Sequence, residues 1–322
     1  MQFSADTLKL LDQVNQLYPG SIVLHGSGDA SGIINHEQVT TDVLGERLAI
    51  QVTDATAPDF TATHELLHMM LGLGGFPQVF FQLKVADNDD LTEQMIVMST
   101  YLYRPALHAI IYKEQKQHGL ITNDVLNGYV KGVEAELTPE TSDDEQSQAA
   151  LRIMLLLDAQ VLFSVLDNDQ IKAKQTELMD LYPVAWAAAS EILAAMQPEK
   201  ITNALGLHRA VVAAFTTFDE QMAKMQLPLL NAKEFATLTP VLSERQLRLT
   251  VNQIFNIKHV DLLDETTNQT AYIGVTKQDG QNSFVISAPE EETQRAEFFK
   301  ELYQLSVSEL FDQIKQPYTL RD

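Results

Sequence analysis

Apolar residues recur at the three- to four-residue spacing of amphipathic helices along most of the chain. From about Leu91 to Met225 the pattern is almost wholly helical. Pro105 is placed at the start of a helix, because the missing N–H of a proline is tolerated in the first turn. The predicted helices are Leu8 to Leu17, residues 62–70, Thr92 to Tyr103, Pro105 to Gln117, Asp124 to Glu136, Leu151 to Leu166, Tyr182 to Met196 and Ala210 to Met225.

Alternating and β-branched runs predict strands near both ends of the chain. Ser21 to His25 and Leu48 to Val52 are the N-terminal strands. Near the C-terminus, Ala271 to Val275 and Ser283 to Ile286 flank the dipeptide Asp279-Gly280. Because both residues of this dipeptide accept positive φ, it favours a tight hairpin turn between the two runs.

These patterns predict an α+β protein that is mainly α-helical and has two domains. Residues 1–244 would form the mainly helical domain, and residues 245–322 would form a small α+β module. In that module the hairpin would share its apolar face with a final amphipathic helix. The apolar side chains that mark this helix are Phe299, Tyr303, Leu310 and Ile314. A chain of 322 residues is long enough for two hydrophobic cores.

The composition is strongly acidic and contains no cysteine. The 22 basic and 44 acidic side chains give a formal charge of −22, which disfavours nucleic acids and anionic membranes as partners and favours a basic or polar substrate. The absence of cysteine excludes disulfides, thiolate metal ligands and a cysteine nucleophile. A zinc ion in this protein would therefore be held by histidine and carboxylate side chains.

The N-terminal residues contain no basic segment followed by an apolar core, so we expect no secretory signal. The most apolar run, Ile153 to Leu166, is too short to span a bilayer and includes Asp158. We therefore expect a cytoplasmic protein without membrane association.

The stretch His64-Glu65-Leu66-Leu67-His68 carries the most specific chemistry in the sequence. Residues four apart lie on one face of an α-helix, so His64 and His68 can bind one Zn²⁺ while Glu65 reaches the water beside it. The flanking side chains are uncharged, which predicts a buried helix whose imidazoles need partners. Asp59 or Thr61 is the expected N-cap.

The run from Ala62 to Met70 resembles the active-site helix of the zincin metallopeptidases, in which His-Glu-x-x-His is bracketed by uncharged residues. The resemblance is confined to this run. It implies a zincin-like domain and a zinc-dependent hydrolase, most directly a metallopeptidase that acts on a peptide or protein. His64 and His68 would bind the metal, and Glu65 would be the catalytic residue. In zincins a strand just before this helix forms the edge along which the substrate lies, and Leu48 to Val52 has that place here.

A catalytic zinc normally has three protein ligands, and the third must be found elsewhere in the chain. His108 is favoured, because an imidazole within an otherwise apolar segment needs a polar partner. Glu93 has the spacing of the thermolysin-like arrangement, and Glu134 is a further candidate. The metzincin extension is excluded, because Gly74 stands where that family has its third histidine.

Asp158 is a second buried polar residue that needs an explanation. It is predicted either to accept a hydrogen bond from a metal-bound histidine or to form a salt bridge with Arg152 or Arg104. Tyr101 and Tyr103 are candidates for stabilising an oxyanion, although tyrosines in helices more often serve packing. The remaining histidines have no metal spacing and are interpreted as structural or surface residues: His25, His36, His118, His208 and His259.

Two other functions are consistent with the same residues. One is a non-catalytic zincin-like protein that binds or regulates and in which the metal is structural or lost. The other is a helical protein in which His64 and His68 merely satisfy a polar contact. Metal content separates the helical protein without a metal from the other two hypotheses. Substitution of Glu65 separates the zinc hydrolase from the non-catalytic zincin-like protein.

Overall fold

The computed structural model describes residues 1–35, 38–140, 148–166 and 169–321. The chain divides into two compact units, neither of which is a single stretch of sequence. The first unit contains Met1–Gly75 and Arg104–Ala194, and the second contains Phe76–Tyr103 and Ala195–Asp322. The boundary expected between residues 244 and 245 therefore falls inside the second unit.

The first unit is built mainly from helices, as its apolar periodicity predicts. Its helices are α1 (Ala5–Leu17), α2 (Pro58–Leu73), the part of α3 (Asp89–Gln117) that begins at Arg104, α4 (Asn123–Glu136), α5 (Ala149–Ser164), α6 (Asp169–Leu181) and α7 (Pro183–Met196), whose last two residues belong to the second unit. Every helix predicted in this part of the chain is found, and α6 is an addition to the prediction. The overall class, α+β with a predominance of helix, is confirmed.

Helix α3 differs from its prediction, because it is one continuous helix instead of two. Pro105 lies inside it and does not begin a new one. A proline in a helix interior removes one backbone hydrogen bond. Residues on both sides of it, Leu102 and Ala106, are completely buried. We attribute the continuity of the helix to this burial, which favours helical backbone before and after the proline.

A three-stranded sheet completes the first unit. Its strands are β1 (Ser21–Gly26), β2 (Val39–Leu44) and β3 (Arg47–Val52), in the order β1-β3-β2. Strand β3 pairs in parallel with β1 and antiparallel with β2. The expectation that residues 48–52 form a substrate-binding edge is therefore wrong, since β3 is the central strand. The sequence does not predict strand β2, because its apolar residues, Val39, Val43 and Leu44, do not alternate with the polar ones.

One apolar cluster joins α1, the sheet and α2. Val14, Ile22, Ile50 and Leu66 are its buried members. Helix α2 begins at Pro58 and has no side-chain cap at Ala57, so the predicted cap at Asp59 or Thr61 is wrong. It ends at Leu73, three residues beyond the predicted run, with Gly74 as its C-cap.

The second unit combines small sheets with helices. Its strands are β4 (Val79–Phe80), β5 (Leu83–Lys84), β6 (Thr237–Leu238), β7 (Val241–Leu242), β8 (Phe255–Asp264), β9 (Thr270–Thr276), β10 (Asn282–Ser287) and β11 (Thr319–Leu320). Its helices, besides the first part of α3, are α8 (Ala204–Lys224), α9 (Ala232–Phe235), α10 (Glu244–Leu247), α11 (Val251–Ile254), α12 (Glu292–Gln304) and α13 (Val307–Ile314).

Strand pairing explains why the unit boundary differs from the predicted one. The main sheet has the order β10-β9-β8-β5, so an early strand forms its edge beside three late ones. Strand β4 likewise pairs with β6, and β7 pairs with β11. Long-range pairs of this kind leave no trace in local periodicity.

The predicted hairpin is confirmed as β9 and β10, which are antiparallel. Gly280 in its turn has φ of +74°, as a tight turn requires. The last helix is instead two helices, α12 and α13. Ser306 interrupts the pattern by capping α13, and the Glu309 carboxylate accepts a hydrogen bond from the Ser306 backbone N–H.

Candidate metal centre

Two helices of the first unit bring three imidazoles together. His64 and His68 lie one turn apart on α2, and His108 lies on α3. Their Nε2 atoms are 3.1 Å apart for His64 and His108, 3.2 Å for His64 and His68, and 3.0 Å for His68 and His108. The rings of His64 and His108 are buried, with 8% and 1% exposure.

A hydrogen-bonded contact holds the two helices at this spacing. The side chain of Gln115 on α3 is completely buried, and its Nε2 donates to the Phe60 carbonyl at 2.8 Å and to Thr63 Oγ1 at 3.0 Å. Both acceptors lie on α2, one turn or less before His64. The face of α2 that carries the histidines is thus fixed against α3.

The spacing of the three nitrogens fits a tetrahedral metal ion. Two imidazole nitrogens that each lie about 2.0–2.1 Å from one zinc at a tetrahedral angle are about 3.3 Å apart. The observed separations of 3.0 to 3.2 Å are close to this value. Within the described part of the chain, His64, His68 and His108 form a group whose ligand atoms all lie within 4.8 Å of one another. This group could hold a metal ion.

Asp158 on α5 orients the third imidazole. Its Oδ1 accepts a hydrogen bond from His108 Nδ1, and this bond leaves the lone pair of His108 Nε2 directed at the other two rings. A carboxylate that accepts from the distal N–H of a ligating histidine is the usual support of a metal site. Of the two predicted roles for Asp158, the contact with histidine is present. Arg152 donates to the Thr138 carbonyl and hydroxyl groups.

Two tyrosines complete the surroundings of Asp158. The hydroxyl groups of Tyr112 and Tyr129 donate to Asp158 Oδ2 at 2.9 Å and 2.6 Å. Burial, followed by the charge of Asp158, raises the pKa of each phenol well above its usual value. Both hydroxyls therefore stay protonated and can act as donors across the physiological pH range. Together with His108 they give the buried carboxylate three hydrogen bonds.

Glu65 lies beside this group and is half-buried. Burial raises the pKa of its carboxyl, while the charges of Arg104 and His108 oppose that rise. Glu65 and His64 line one pocket of the first unit, which has a volume of about 50 Å³. Its walls also contain apolar side chains from α2, α4 and α5.

The other candidates for the third ligand lie outside the histidine group. Glu93 belongs to the second unit. Glu134 is paired with Glu177, and burial together with the charge of that neighbour raises the pKa of Glu134. Neither glutamate is part of the group that the described residues form.

The structure also gives the contacts of one predicted oxyanion donor, Tyr103, and of the remaining histidines. The Tyr103 hydroxyl donates a hydrogen bond to the Pro77 carbonyl at 2.8 Å. In this arrangement the hydroxyl proton does not point to an oxyanion. His118 contacts Glu114, His208 contacts Asp279, and the ring of His259 packs against Tyr272. His25 is exposed on β1, and His36 lies outside the described residues.

Tyr112 and Tyr129 are the functional residues that sequence reasoning missed. Tyr112 is four residues after His108 and therefore lies on the same helix face, which is a usable signal in retrospect. Tyr129 lies on a different helix, α4, and no spacing connects it with Asp158. Only the packing of α4 against α5 brings the two together.

Comparison with known proteins identifies no relative. No family model, no curated protein and no solved structure matches this chain.

Within the described ranges, no helix has the length and apolar character needed to cross a membrane.

Proposed function

We propose that the protein is a zinc-dependent hydrolase that cleaves peptide bonds, with His64, His68 and His108 as the metal ligands. The observation that carries the proposal is the convergence of the three Nε2 atoms to within 3.2 Å of one another. Among the described residues the group contains three ligands and no fourth. Catalytic zinc sites use three protein ligands and keep one position open, whereas structural sites are closed by four.

A zinc ion held by this group would supply the Lewis acidity that activates water and polarises a carbonyl group. Glu65 follows His64 directly on α2 and lines the same pocket. In the proposed reaction its carboxylate takes a proton from water at one oxygen and returns it to the departing amine nitrogen. His108 keeps its orientation because Asp158 holds the N–H at the other side of the ring.

A peptide substrate is supported by the likeness of the motif to zincin metallopeptidases and by the surroundings of the pocket. Strand β2 is an edge strand of the three-stranded sheet, and its first residue, Val39, lines the pocket that contains His64 and Glu65. Extended peptides often bind by adding a strand to a sheet edge. We therefore propose β2, and not residues 48–52, as the sheet edge along which the peptide substrate binds.

The experiment has two readouts on untagged, full-length protein. Elemental analysis should find about one equivalent of zinc, which the His64→Ala and His68→Ala double variant should lose. Glu65→Gln should keep the zinc and lose the hydrolysis of a peptide library, because Glu65 moves protons and does not bind the metal. Glu134→Gln is a matched control, since it removes one carboxylate outside the group and should leave both readouts unchanged.

The outcomes separate the possible functions. Equal hydrolysis by wild type and Glu65→Gln would refute the proposed mechanism. Zinc binding without any peptide hydrolysis would favour the alternative, a zincin-like protein that binds or regulates without catalysis. If the purified protein contains no zinc and takes up no added zinc, the proposed metal centre is refuted.

A further inference from the structure

The first unit contains a second, larger cavity, on a different face of α2 from the histidine group. It has a volume of about 640 Å³, which is within the range of about 300–1,000 Å³ that is usual for small-molecule sites. Its walls come mainly from α1, α2 and α3. None of the three imidazoles of the histidine group belongs to the described residues that line it. A ligand in this cavity would therefore not occupy the candidate metal centre.

The buried polar side chains of the cavity are clustered at the start of α2. Gln115 Nε2 donates to Thr63 Oγ1 at 3.0 Å, and Thr63 Oγ1 donates to the Asp59 carbonyl at 2.7 Å. The Thr7 hydroxyl of α1 donates to Asp59 Oδ1 at 2.6 Å. Thr7, Thr63 and Gln115 are all buried and line the cavity together with Asp59. These contacts give the cavity a polar end.

One atom at the polar end lacks a hydrogen bond. Gln115 is completely buried, and its Oε1 has no hydrogen-bond partner among the described residues. Its Nε2 donates to the Phe60 carbonyl at 2.8 Å. Because a carbonyl can only accept, this contact fixes which side of the amide carries the oxygen. A buried acceptor without a donor is unfavourable, so a ligand that brings an N–H or O–H group to this end would be stabilised.

The cavity is apolar farther along the helices. Leu67 and Leu71 follow Asp59 by about two and three turns of α2. The apolar side chains of the wall are Leu10, Leu67, Met70, Leu71, Ile110, Ile111 and Leu120. A ligand that fills the cavity would therefore have an apolar body and a polar group at one end.

The charged side chains of the cavity favour a cationic polar group. Among the described lining residues, three carboxylates stand against one ammonium: Asp6, Asp59, Glu114 and Lys9. Glu114 also contacts His118, at 3.1 Å. Even without Glu114, two carboxylates remain against Lys9. A primary ammonium carries three donors and no acceptor, and it therefore complements both the Gln115 oxygen and the excess of carboxylates.

We propose that the cavity between α1, α2 and α3 binds a small molecule with an apolar body and a primary ammonium group. The ammonium lies at the end formed by Gln115 and Asp59, and the apolar body lies along Leu67 and Leu71. This site does not depend on the proposed hydrolase activity.

The test compares three probes with the same alkyl chain: octylamine, 1-octanol and octanoate. Binding is measured by calorimetry on the full-length protein at neutral pH and physiological ionic strength, which screens non-specific attraction to the acidic surface. Zinc is removed beforehand, so that the amine cannot coordinate it. Octylamine should bind at least about tenfold more tightly than octanoate, the scale of one hydrogen bond to a charged group. The affinity of 1-octanol, which brings one uncharged donor, should lie between them.

Matched variants locate the site. Leu71→Trp fills the apolar part of the cavity and should weaken octylamine binding at least about tenfold, because overpacking excludes the ligand. Leu73→Trp is the control, since it makes the same change on the same helix at an exposed side chain outside the wall. It should bind octylamine like the wild type. Gln115→Met removes the amide and should lower the affinity at least about fivefold.

A variant of the histidine group separates the two sites. The His64→Ala and His68→Ala double variant should bind octylamine with the affinity of the wild type. Loss of binding in that variant would assign the amine to the histidine group and overturn the proposal.

Other results would overturn it as well: no saturable binding of octylamine, equal or tighter binding of 1-octanol or octanoate, or equal binding by wild type and Leu71→Trp. Because Gln115 also connects α2 with α3, circular dichroism must show that Gln115→Met is folded. If it is not, the comparison of probes and the Leu71→Trp variant decide.

Discussion

Each unit of the protein buries a histidine against an aspartate, and the two pairs differ in what surrounds the imidazole. In the first unit, His108 gives Nδ1 to Asp158 and directs Nε2 towards two further imidazoles. In the second unit, His208 Nε2 lies 3.0 Å from Asp279 Oδ2. His208 Nδ1 is buried and has no hydrogen-bond partner among the described residues.

The aspartates differ as well. Asp158 receives hydrogen bonds from a histidine and two tyrosines. Asp279 lies in the β9–β10 turn, where it accepts from the Thr276 hydroxyl and from the Gln281 backbone N–H. The two pairs thus differ at the second ring nitrogen. Among the described residues, that of His108 converges with two further imidazoles, whereas that of His208 belongs to no such group.

The largest expected contrast comes from removing each histidine. His108→Ala should lower zinc affinity by more than about a hundredfold, since even the loss of an outer partner of a ligand costs about ten- to a hundredfold. His208→Ala should leave zinc affinity unchanged. Competition with a chromophoric chelator measures both. If the two variants bind zinc with equal affinity, the proposal that His108 is a zinc ligand and His208 is not is wrong.

Zinc itself should stabilise one unit and not the other. At a free concentration about one hundred times its dissociation constant, a ligand of the native state stabilises it by about 2.7 kcal/mol. Hydrogen exchange should therefore slow in α2 and in α3 after Arg104, while amides around His208 and Asp279 keep their rates. Two results would contradict zinc binding by the histidine group. One is that zinc slows hydrogen exchange equally in both units, and the other is that it still slows exchange in the His64→Ala and His68→Ala double variant.

A smaller effect is expected from the aspartate of the first pair. Asp158→Asn preserves size but removes the charge that orients His108, so zinc affinity should fall about tenfold. Asp279→Asn is the matched substitution in the second unit and should not change zinc affinity. Far-ultraviolet circular dichroism would show that both variants are folded. A normal affinity in folded Asp158→Asn would mean that the carboxylate does not support the metal group.

The smallest effect concerns acid stability. Burial tends to raise the pKa of Asp279, but the hydrogen bonds from His208, Thr276 and Gln281 outweigh it and lower the pKa to about 2. A lowered folded-state pKa means that this carboxylate contributes stability above about pH 4, which is lost as the pH falls through about 2. After allowance for solvent screening the contribution is about 1 kcal/mol.

Urea unfolding between pH 2 and pH 5, followed for the second unit, tests this expectation. Asp279→Asn should flatten the dependence on pH in that window. Glu297→Gln, at an exposed residue of α12 in the same unit, is the comparison for loss of a surface carboxylate. An unchanged slope in Asp279→Asn would show that this hydrogen-bonded carboxylate does not set the acid stability.

Much of the histidine group could be predicted, because it depends on local periodicity. The turn of helix between His64 and His68 is encoded in five consecutive residues. The sequence singles out His108 and Asp158 because each is a polar residue within an otherwise apolar helix. The structure brings His108 and Asp158 together with the first two histidines.

The parts that escaped prediction depend on contacts between distant segments. Strand β2 lacks an alternating pattern and is identified only by its pairing with β3. Tyr129 reaches Asp158 only because α4 packs against α5. The division into the two units depends on pairs such as Leu83 with Asp264, which are far apart in the sequence. No local pattern records such partners.

The interleaved order of the two units has a consequence for synthesis on the ribosome. The chain emerges from its N-terminus, and domains generally fold as units during synthesis. All residues of the histidine group and Asp158 have been made by the time Ala194 emerges, so the first unit can close while the second is still incomplete. Strands β4 and β5 must then wait for β6 and β8, which follow about 160 and 180 residues later. At typical elongation rates this is a delay of about eight to thirty-six seconds. During that interval their edges are unpaired, and they are the segments at which a nascent-chain chaperone would be expected to act.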